Sequence, residues 1–329
     1  DPEEGWLNCG AYRAMVHDAK SVGCFMVTGK HGYVHRNKYW ARGEPCPVVM
    51  VIGGEPIAFF NGGAEAPYGT FELDIVGGIR NKAVECVEGK ITGLPFPANA
   101  EIVLEGHLHE GKVKDEGPFG EWTGYYASGQ HPEPVLEVEA IYHRKDPIIL
   151  GVPPMGQGTD EMARYRAVLR SAMLKQNLAD AGVPDITGVW CHEIGASRLL
   201  HGVSIKQRYP GHSKQAGHIA AQCQAANYAN RFIIVVDDDI DVSNLEELIW
   251  AMCTRCDPAT TIDIVKGAWT SPADPRLTPE QKANGDITNS RAIIDACKPF
   301  HWKDDYPVTN APDAEVLQEA REKFGYLLD

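Results

Sequence analysis

The sequence predicts a mixed α+β and α/β fold in three parts: a mainly β part, an α/β part and a C-terminal helix. Up to about residue 147, short β-branched and aromatic segments recur between turns, which is typical of a barrel or sandwich. After Asp146-Pro147, strand and helix patterns alternate, which is typical of an α/β domain. The chain has 329 residues, 43% of them hydrophobic, and can therefore bury the core of one large or two ordinary domains.

The first part alternates predicted strands with two predicted helices. Residues 22–28 and 47–52 are rich in β-branched and aromatic side chains, which predicts buried strands. Residues 57–60 continue the second strand before a loop at 61–64. Similar short runs between turns predict further strands at 83–86, 91, 101–108, 125–126 and 135–143. Amphipathic patterns predict the two helices at 33–42 and 71–80.

The second part begins with an apolar strand predicted at 148–152 and a loop at 153–158. Thr159-Asp160-Glu161 then caps a helix predicted over 161–181. The later segments follow the same patterns: strands 187–191, 199–205 and 232–236, helices 218–228 and 244–253, an irregular Pro-, Asp- and Asn-rich segment at 272–289, and an amphipathic helix over 313–328.

Charge and hydropathy exclude several classes of protein. The net charge is -14 and the pI is about 5.3, whereas a nucleic-acid-binding protein presents a basic face. No apolar run is long enough to span a bilayer, and no charged-then-apolar leader opens the sequence. The nine cysteines are scattered and odd in number, which argues against a disulfide scaffold. We therefore expect a cytoplasmic protein that binds neither nucleic acid nor membrane.

Residues 115–126 carry two carboxylates five positions apart, Glu116 and Glu121, separated by Gly-Pro-Phe-Gly. Gly and Pro break helices, so this segment is a sharp loop that can direct both acids into one space. Arg13 between the two carboxylates would keep one of them ionised, while the other could act as a neutral proton donor in an apolar pocket. The alternative is a surface hairpin with solvated acids and a structural ion pair.

Asn8, His31 and Glu72 form a second candidate set, because each is next to Gly or in a turn and is flanked by apolar sequence. An amide, an imidazole and a carboxylate suit a hard or borderline divalent ion such as Mg²⁺ or Mn²⁺. The alternative is three unrelated polar residues.

Two further segments allow either a functional or a structural interpretation. Residues 206–217 place Gly, His, Ser and Lys214 before a helix, which suits a phosphate at a helix N-terminus, or is a solvated basic loop. Residues 237–241 contain four Asp after a strand. They could bind a metal, but we favour a structural role because Asp commonly precedes a helix.

Together these segments resemble the UbiD-type decarboxylases, which use prenylated FMN. The resemblance follows the family's order from residue 6 to about 258, and its joint match is far more specific than any single motif. The matching motifs are Asn8-x-Gly10-x-x-Arg13, Lys30-His31, Glu72 in FELDIVGG, Ala98 to Gly106, Glu116-Gly117-Pro118-Phe119-Gly120-Glu121-x-x-Gly124-Tyr125, Tyr209-x-Gly211-His212-x-Lys214, Asp237-Asp238-Asp239-Ile240 and Ile249-Trp250-Ala251-x-x-Thr254-Arg255.

The resemblance implies a role for each candidate residue. Arg13 and Glu116 would handle the substrate carboxylate and the redox maturation of the cofactor, and Glu121 would deliver a proton after CO₂ leaves. The residues implied in cofactor binding are Asn8, Lys30, His31, Gly62, Gly63, Ala64, Glu72 and Lys214. Of these, Asn8, His31 and Glu72 would bind Mn²⁺ or Mg²⁺, with K⁺ as a further ion, and Lys214 would meet the cofactor phosphate.

It also implies the architecture and partners. Residues 1–147 would form a split β-barrel that binds prenylated FMN, 148–298 an α/β oligomerisation domain, and 299–329 a helical tail. The reaction would be reversible, non-oxidative decarboxylation of a carboxylic acid through a covalent adduct with the cofactor. A flavin prenyltransferase would supply that cofactor, and the chain would form a homodimer or homohexamer.

Two departures from the family pattern bear on these expectations. The family's N-terminal region does not precede Asp1, and Asn61-Gly62-Gly63-Ala64 replaces the Ser-Ser-Met type of loop found in ferulic acid decarboxylases. We therefore expect a hydroxylated or heteroaromatic acid, or an aromatic acyl-CoA that carries a second carboxylate, rather than a cinnamate. The alternatives are a flavin reductase that uses ordinary FMN on a split barrel, and a non-catalytic subunit of a larger carboxylase.

Overall fold

The structure is a computed structural model that describes residues 1–63, 66–127, 129–151 and 161–327. The chain divides into two compact units. The first comprises Asp1–Leu169, Glu193–Ser197 and Thr270–Ile287, and the second comprises Arg170–His192, Arg198–Trp269 and Thr288–Asp329. The predicted mixed class of fold is confirmed, whereas the predicted domain limits stay a prediction.

A five-stranded antiparallel sheet forms the centre of the first unit. In spatial order its strands are β1 (Arg13–Asp18), β2 (Ser21–Phe25), β7 (His131–His143), β6 (Ile102–Glu116) and β3 (Cys46–Ile52). Two short strands, β4 (Cys86–Glu88) and β5 (Pro95–Pro97), pair only with each other. Among the described residues no pairing joins β3 to β1, so closure into a split barrel stays a prediction.

One face of this sheet packs against helix α1 (His31–Ala41). Cys24, Leu108 and Leu136 are almost fully buried in this contact, and Trp40 of α1 donates from Nε1 to Leu108 O at 3.0 Å. Side chains alternate across a strand, so the residues next to Cys24 and Leu136 point to the opposite face. The candidate active site lies on that opposite face.

The helices of the first part differ from prediction at one place. Helix α3 (Glu72–Arg80) coincides with the predicted helix, but residues 57–60, predicted as a strand, lie in helix α2 (Pro56–Gly62). Pro56 explains the difference, because Pro is favoured in the first turn of a helix and cannot donate to a sheet. Residues 125–126 were also predicted wrongly as a strand. Gly124 has a φ of 82° there, and its N–H donates to Glu121 O in a turn.

The second unit contains a mixed five-stranded sheet with helices against both faces. In spatial order its strands are β11 (Ile262–Trp269), β12 (Thr288–Asp295), β10 (Phe232–Asp237), β9 (Leu200–Ile205) and β8 (Ile186–Cys191). The central three are parallel and the two edge strands antiparallel. Helix α5 (His212–Gln222) packs on one apolar cluster and helix α6 (Leu245–Arg255) on another.

Several predicted boundaries of the second part were wrong. The strand predicted at 148–152 is absent at 148–151, and residues 152–160, including the predicted loop and cap, lie outside the described residues. The helix predicted at 218–228 both begins and ends earlier, as α5. Gly211, with a φ of 85°, precedes its first residue, and Cys223 ends it in an extended conformation. The segment 272–289 contains helix α7 (Pro279–Ala283), whose first turn is closed by a capping box.

Two helices complete the fold. Helix α4 (Glu161–Asp180) matches the predicted helix, and the division between the two units falls within it. Helix α8 (Ala314–Phe324) matches the predicted tail helix. No helix in the described part of the chain combines the length and apolarity needed to cross a bilayer.

Candidate active site

The strand register of the first unit places a polar group on one sheet face. Arg13 in β1 is directly opposite Phe25 in β2, and Glu116 in β6 is opposite His131 in β7. Glu133 is two residues further along β7 than His131, so both point to the same face. Arg13 and Glu116 are 103 residues apart in sequence. The register, rather than a local turn, therefore assembles the group.

Arg13 and Glu116 form a close ion pair within this group. Nε and Nη2 of Arg13 donate to Oε1 of Glu116 at 3.0 and 2.5 Å. The Glu116 side chain is fully buried, while 26% of the Arg13 side chain is exposed. A buried carboxylate is stable as an anion only with such a partner.

Aromatic rings and a second carboxylate also surround the Arg13 guanidinium. Its Cζ lies 4.4 Å from the centre of the Phe25 ring and 4.6 Å from that of Phe119. Its Nη1 is 3.6 Å from Oε1 of Glu121. The rings fix the plane of the guanidinium, and the two carboxylates lie at different edges of it. An anionic substrate group could therefore bind this cation in a defined orientation.

The loop that carries Glu121 is closed by backbone hydrogen bonds. Glu121 N donates to Tyr125 O at 2.9 Å, and Gly124 N donates to Glu121 O at 2.8 Å. The Thr123 hydroxyl donates to Ala273 O at 3.2 Å within the same unit. The Glu121 side chain is 14% exposed. It is thus positioned beside Arg13 but is more accessible than Glu116.

The second carboxylate oxygen of Glu116 lies above Gly23 in β2. A Cβ atom on Gly23 would be 2.9 Å from Oε2 of Glu116 and 3.1 Å from Nε2 of His17. Neither of these atoms has a hydrogen-bond partner among the described residues. The absence of a side chain at Gly23 leaves room for the carboxylate. Oε2 of Glu116 can therefore accept a proton or a hydrogen bond.

Replacing Gly23 with Ala should displace the Glu116 carboxylate from this position. We expect the free energy of unfolding to fall by about 1–3 kcal/mol, as for other insertions into a packed region. Urea unfolding would measure the change. Gly78→Ala in α3 is the matched control, since a Cβ there meets no atom within 4 Å. Equal stability of Gly23→Ala and wild type would contradict the packing described here.

Asn8, His31 and Glu72 come together at a second place in the first unit. Oε1 of Glu72 accepts from Asn8 Nδ2 at 2.8 Å and lies 4.0 Å from Nδ1 of His31. Oε2 of Glu72 accepts from Cys9 N at 2.6 Å. Glu72 is buried in the first turn of α3, and His31 is the first residue of α1. The amide, imidazole and carboxylate together match the donors that Mg²⁺ or Mn²⁺ accepts.

Tyr12 holds the amide of this set in place and was not among the predicted site residues. Its hydroxyl donates to Oδ1 of Asn8 at 2.9 Å and accepts from Gly32 N at 2.9 Å. Burial is the main cause that raises the pKa of Tyr12 to about 12, so the hydroxyl stays a donor at neutral pH. The sequence feature that could have indicated Tyr12 is its position within the motif from Asn8 to Arg13.

The other residues expected to bind the cofactor are placed as follows. Lys30 precedes His31 as the residue before α1. Gly62, at the end of α2, accepts from Ala11 N at 2.8 Å, and a Cβ on Gly62 would meet Cys9 O at 3.1 Å. Gly62 thus lies against the segment that carries Asn8, and Gly63 follows it. Ala64 lies outside the described residues.

Lys214 belongs to the second unit, in the first turn of α5. Its Nζ is 2.8 Å from Oδ2 of Asp263, which His218 Nε2 also approaches at 3.0 Å. The bond from Lys214 is the main cause that lowers the pKa of Asp263. The lysine is therefore in an ion pair in this structure, and its phosphate contact stays a prediction.

The acidic run at the end of β10 is part of a partly buried ion network. Asp237 accepts from Gln207 Nε2 and Lys298 N, each at 2.6 Å. Asp239 accepts two bonds from Arg255, at 2.9 and 3.0 Å. These contacts favour the structural interpretation, although Asn244 and not an Asp caps α6. The carboxylates stabilise the loop between β10 and α6 by binding Arg255.

His131 and Glu133 also belong to the group around Arg13 and Glu116, although they were not among the predicted site residues. Nδ1 of His131 is 2.8 Å from Oε1 of Glu133, and one ligand atom from each of these residues and from Glu116 lies within 4.8 Å of the others. Burial, and then the nearby charge of Glu116, raise the pKa of Glu133, while His131 and Arg13 oppose the shift. Their spacing of two residues would place both side chains on one face of a strand, but the predicted strand began at residue 135 and did not include them.

Comparison with known families gives two matches that together cover most of the chain. The Rift-related domain of the 3-octaprenyl-4-hydroxybenzoate carboxy-lyase family, UbiD, matches residues 1–157. The C-terminal domain of the same family matches residues 165–296.

Two curated relatives illustrate the similarity. A protein of Archaeoglobus fulgidus is 33% identical over 98% of this chain, which covers 65% of the relative. A phenolic acid decarboxylase of Bacillus subtilis is 30% identical over 91% of this chain, which covers 61% of the relative. The chain thus spans less than two thirds of the length of these relatives.

The fold is similar to that of a solved UbiD-class enzyme, HmfF from Pelotomaculum thermopropionicum, in complex with FMN. The TM-score is 0.86 at 27% identity, over 97% of this chain and 68% of that one. An evolved dimeric form of HmfF in complex with prFMN gives a TM-score of 0.79 at 26% identity, over 95% of this chain and 65% of that one. By both domain matches and by its fold, the chain belongs to the UbiD family.

Proposed function

We propose that this chain carries the catalytic centre of a decarboxylase that removes CO₂ from an aromatic, heteroaromatic or α,β-unsaturated acid, or an aromatic acyl-CoA, with prenylated FMN as cofactor. The observation that carries the proposal is the position of Arg13 between Glu116 and Glu121. It offers a cation for the substrate carboxylate and an acid for the carbon that loses CO₂. The flavins bound to HmfF support the choice of cofactor.

Each of the three residues has a distinct task. Arg13 binds the substrate carboxylate, since its guanidinium is partly exposed and is held flat between Phe25 and Phe119. Glu116 orients Arg13 through the two bonds to Oε1. Glu121 donates a proton to the substrate carbon after CO₂ leaves, because it is the less buried of the two acids. When bound, prenylated FMN supplies the electron sink that an aryl or vinylic carbon lacks.

The metal would be held by Asn8, His31 and Glu72. Their donor chemistry fits Mn²⁺ or Mg²⁺, and the buried carboxylate of Glu72 supplies the negative charge. The cation would in turn face a cofactor phosphate, and Lys214 is proposed as a further phosphate contact. K⁺ is proposed as an additional ion, without an assigned ligand in this chain.

Glu72→Gln should weaken Mn²⁺ binding by at least the roughly 10- to 100-fold that loss of an outer-shell partner causes, because the amide keeps the shape of a direct ligand but removes its charge. Electron paramagnetic resonance of free Mn²⁺ in titrations of the protein would measure the change. Glu85→Gln is the control, since Glu85 is an exposed acid in the same unit. Unchanged Mn²⁺ affinity in Glu72→Gln would argue against this site.

A phenolic acid is the preferred substrate within the proposed class. The Bacillus subtilis relative named for phenolic acids supports this choice, as does the Asn-Gly-Gly-Ala sequence at residues 61–64, which replaces the cinnamate-type sequence. A flavin prenyltransferase is the proposed source of the cofactor, and assembly as a homodimer or homohexamer is proposed from the family. The reverse carboxylation would occur at high CO₂, since a catalyst lowers both barriers.

The proposal is tested by producing the chain together with a flavin prenyltransferase. We expect a bound flavin with the mass and absorbance of prenylated FMN. We also expect deuterium exchange at the ring carbon of at least one phenolic or heteroaromatic acid in a panel that includes acyl-CoA esters. Bound ordinary FMN with reductase activity would favour a flavin reductase, and a loaded chain inactive on the whole panel would favour a non-catalytic subunit.

A further inference from the structure

A second acid lies close to Glu116 on the active-site face. Carboxylate oxygens of Glu116 and Glu133 lie within 4.8 Å of each other, in a region where Glu116 is fully buried. Two carboxylates so close together do not both ionise readily, so one of the pair keeps its proton to a higher pH than an isolated carboxyl group would.

The proton resides on Glu133 in this arrangement. Arg13 donates two charge-assisted hydrogen bonds to Oε1 of Glu116. Glu133, whose side chain is 15% exposed, has a raised pKa because of burial and of the Glu116 charge. Glu133 is thus the neutral member of the pair.

His131 connects Glu133 to solvent. Its side chain is 36% exposed, and its Nδ1 lies 2.8 Å from Oε1 of Glu133. An imidazole in such a position can accept a proton from water on one nitrogen and donate from the other. The order from solvent inwards is therefore His131, Glu133 and Glu116.

Binding of a substrate carboxylate changes the charge balance of this group. Arg13 binds the substrate carboxylate in the proposed function. If that carboxylate displaces Glu116 from the guanidinium, Glu116 loses its partner while remaining buried. A buried, unpaired carboxylate is strongly unfavourable, and it is relieved most simply by a proton. Oε2 of Glu116, which has no hydrogen-bond partner among the described residues, can accept that proton.

We propose that Glu133 is a positioning residue that holds a proton for Glu116, passes it to Glu116 when Arg13 turns to a carboxylate substrate, and regains it from solvent through His131. One proton moves from oxygen to oxygen at each transfer, and no electrons change hands. The identity of the ligand as a carboxylate rests on the proposed function, whereas the proton on Glu133 in the free protein does not.

The charged and titratable groups around Glu133 come from four further elements. They are Arg13 of β1, Cys24 of β2, Arg36 of α1 and Glu116 of β6, beside His131 on its own strand. An arginine side chain is not deprotonated in proteins, and burial raises the pKa of the Cys24 thiol to about 12, so that it stays neutral. Only Glu133, Glu116 and His131 are therefore available to exchange the proton.

Infrared spectroscopy of the free protein tests the resting position of the proton. As the pH is raised from acid values, the wild type should retain the carbonyl stretch of one protonated carboxyl after the other acids have ionised, and Glu133→Gln should lack this band while Glu133→Asp shifts it. Glu137→Gln on the same strand is the control, because a bond from Lys112 lowers the pKa of Glu137 and keeps it ionised. An identical band in wild type and Glu133→Gln overturns the proposal. No ligand or flavin is needed, so this result is independent of the proposed reaction.

Binding of 4-hydroxybenzoate, followed by calorimetry, tests the transfer. Glu133 carries its proton below its raised pKa and loses it above, so wild-type affinity should fall as pH rises through that pKa. Below that pKa, Glu133→Gln should bind about 10-fold more weakly than the wild type, the cost of leaving one buried polar group unsatisfied, and it should lack the decline in affinity at higher pH. Equal affinity and an unchanged pH profile in the variant would overturn the proposal. Failure of every protein to bind the acid would count against the proposed substrate, while the infrared band still decides the protonation of Glu133.

Discussion

Glu121→Gln should lower the rate of decarboxylation by about 100- to 10,000-fold, the usual contribution of a positioned general acid. Glutamine keeps the size of the side chain and its place beside Arg13, but it has no proton to give to the carbon. The loop itself should remain, since it is closed by backbone bonds at Tyr125 and Gly124 and not by the carboxylate. Steady-state assays of the protein loaded with prenylated FMN would measure the loss.

The flavin content and the thermal stability of Glu121→Gln should match those of the wild type. Asp115→Asn is a suitable control, because Asp115 is an exposed acid in β6 that points away from the group around Arg13. Full activity in Glu121→Gln would assign the proton donor to another residue. Loss of the flavin in this variant would mean that Glu121 acts in binding instead.

Arg13→Met should lower the free energy of unfolding by about 3–5 kcal/mol, because it leaves the fully buried Glu116 without its cation. Decarboxylation should be lost as well, since the substrate carboxylate has no partner. Urea unfolding at constant pH would measure the stability. Arg42→Met serves as the control: Arg42 is exposed and only 4.0 Å from Glu3, so its loss should change the stability by less than about 0.5 kcal/mol.

A double variant separates the charge effect from lost packing. Arg13→Met combined with Glu116→Gln removes both charges, so most of the lost stability should return. The double variant should nevertheless remain inactive. If it is as unstable as Arg13→Met alone, the cost arises from the contacts of Arg13 with Phe25 and Phe119 and not from the unpaired carboxylate.

Much of the fold was predictable where local sequence signals are strong. Helices α1, α3 and α8 follow their amphipathic patterns, α6 follows an apolar run, and the buried strands β9 and β10 follow their β-branched runs. Strand β3 also follows a β-branched run, but it lies at the edge of its sheet and is only partly buried, so the prediction that it is a buried, central strand is wrong. The edge strand β11 was not predicted, since Asp263 and Lys266 interrupt its apolar pattern. Its neighbour β12 begins within the segment expected to be irregular. Both are stabilised by pairing with residues distant in sequence, which no local pattern reveals.

The candidate site was predictable to a different extent. Motifs pointed to Arg13, Glu116 and Glu121 as one group, and the structure brings them within ion-pair distance. The sequence did not reveal that Glu116 would be buried and Glu121 partly exposed, because burial depends on the register of β6 with β7. Glu133 was not predicted for the same reason, since its raised pKa depends on burial and on Glu116 of a neighbouring strand.

The bare backbone at Gly23 has a consequence for protein engineering. A designer who transplants this arginine–glutamate pair into another antiparallel sheet must copy four strands rather than two, since β2 and β7 lie between β1 and β6 and the carboxylate occupies the volume that a side chain at Gly23 of β2 would fill. The Arg13–Glu116 pair can therefore be transferred to another sheet only together with a glycine at the position of Gly23. Relatives that carry a larger residue at this position would be expected to place the glutamate differently, and a survey of UbiD-family sequences could use that one position to sort them by the geometry of their acid.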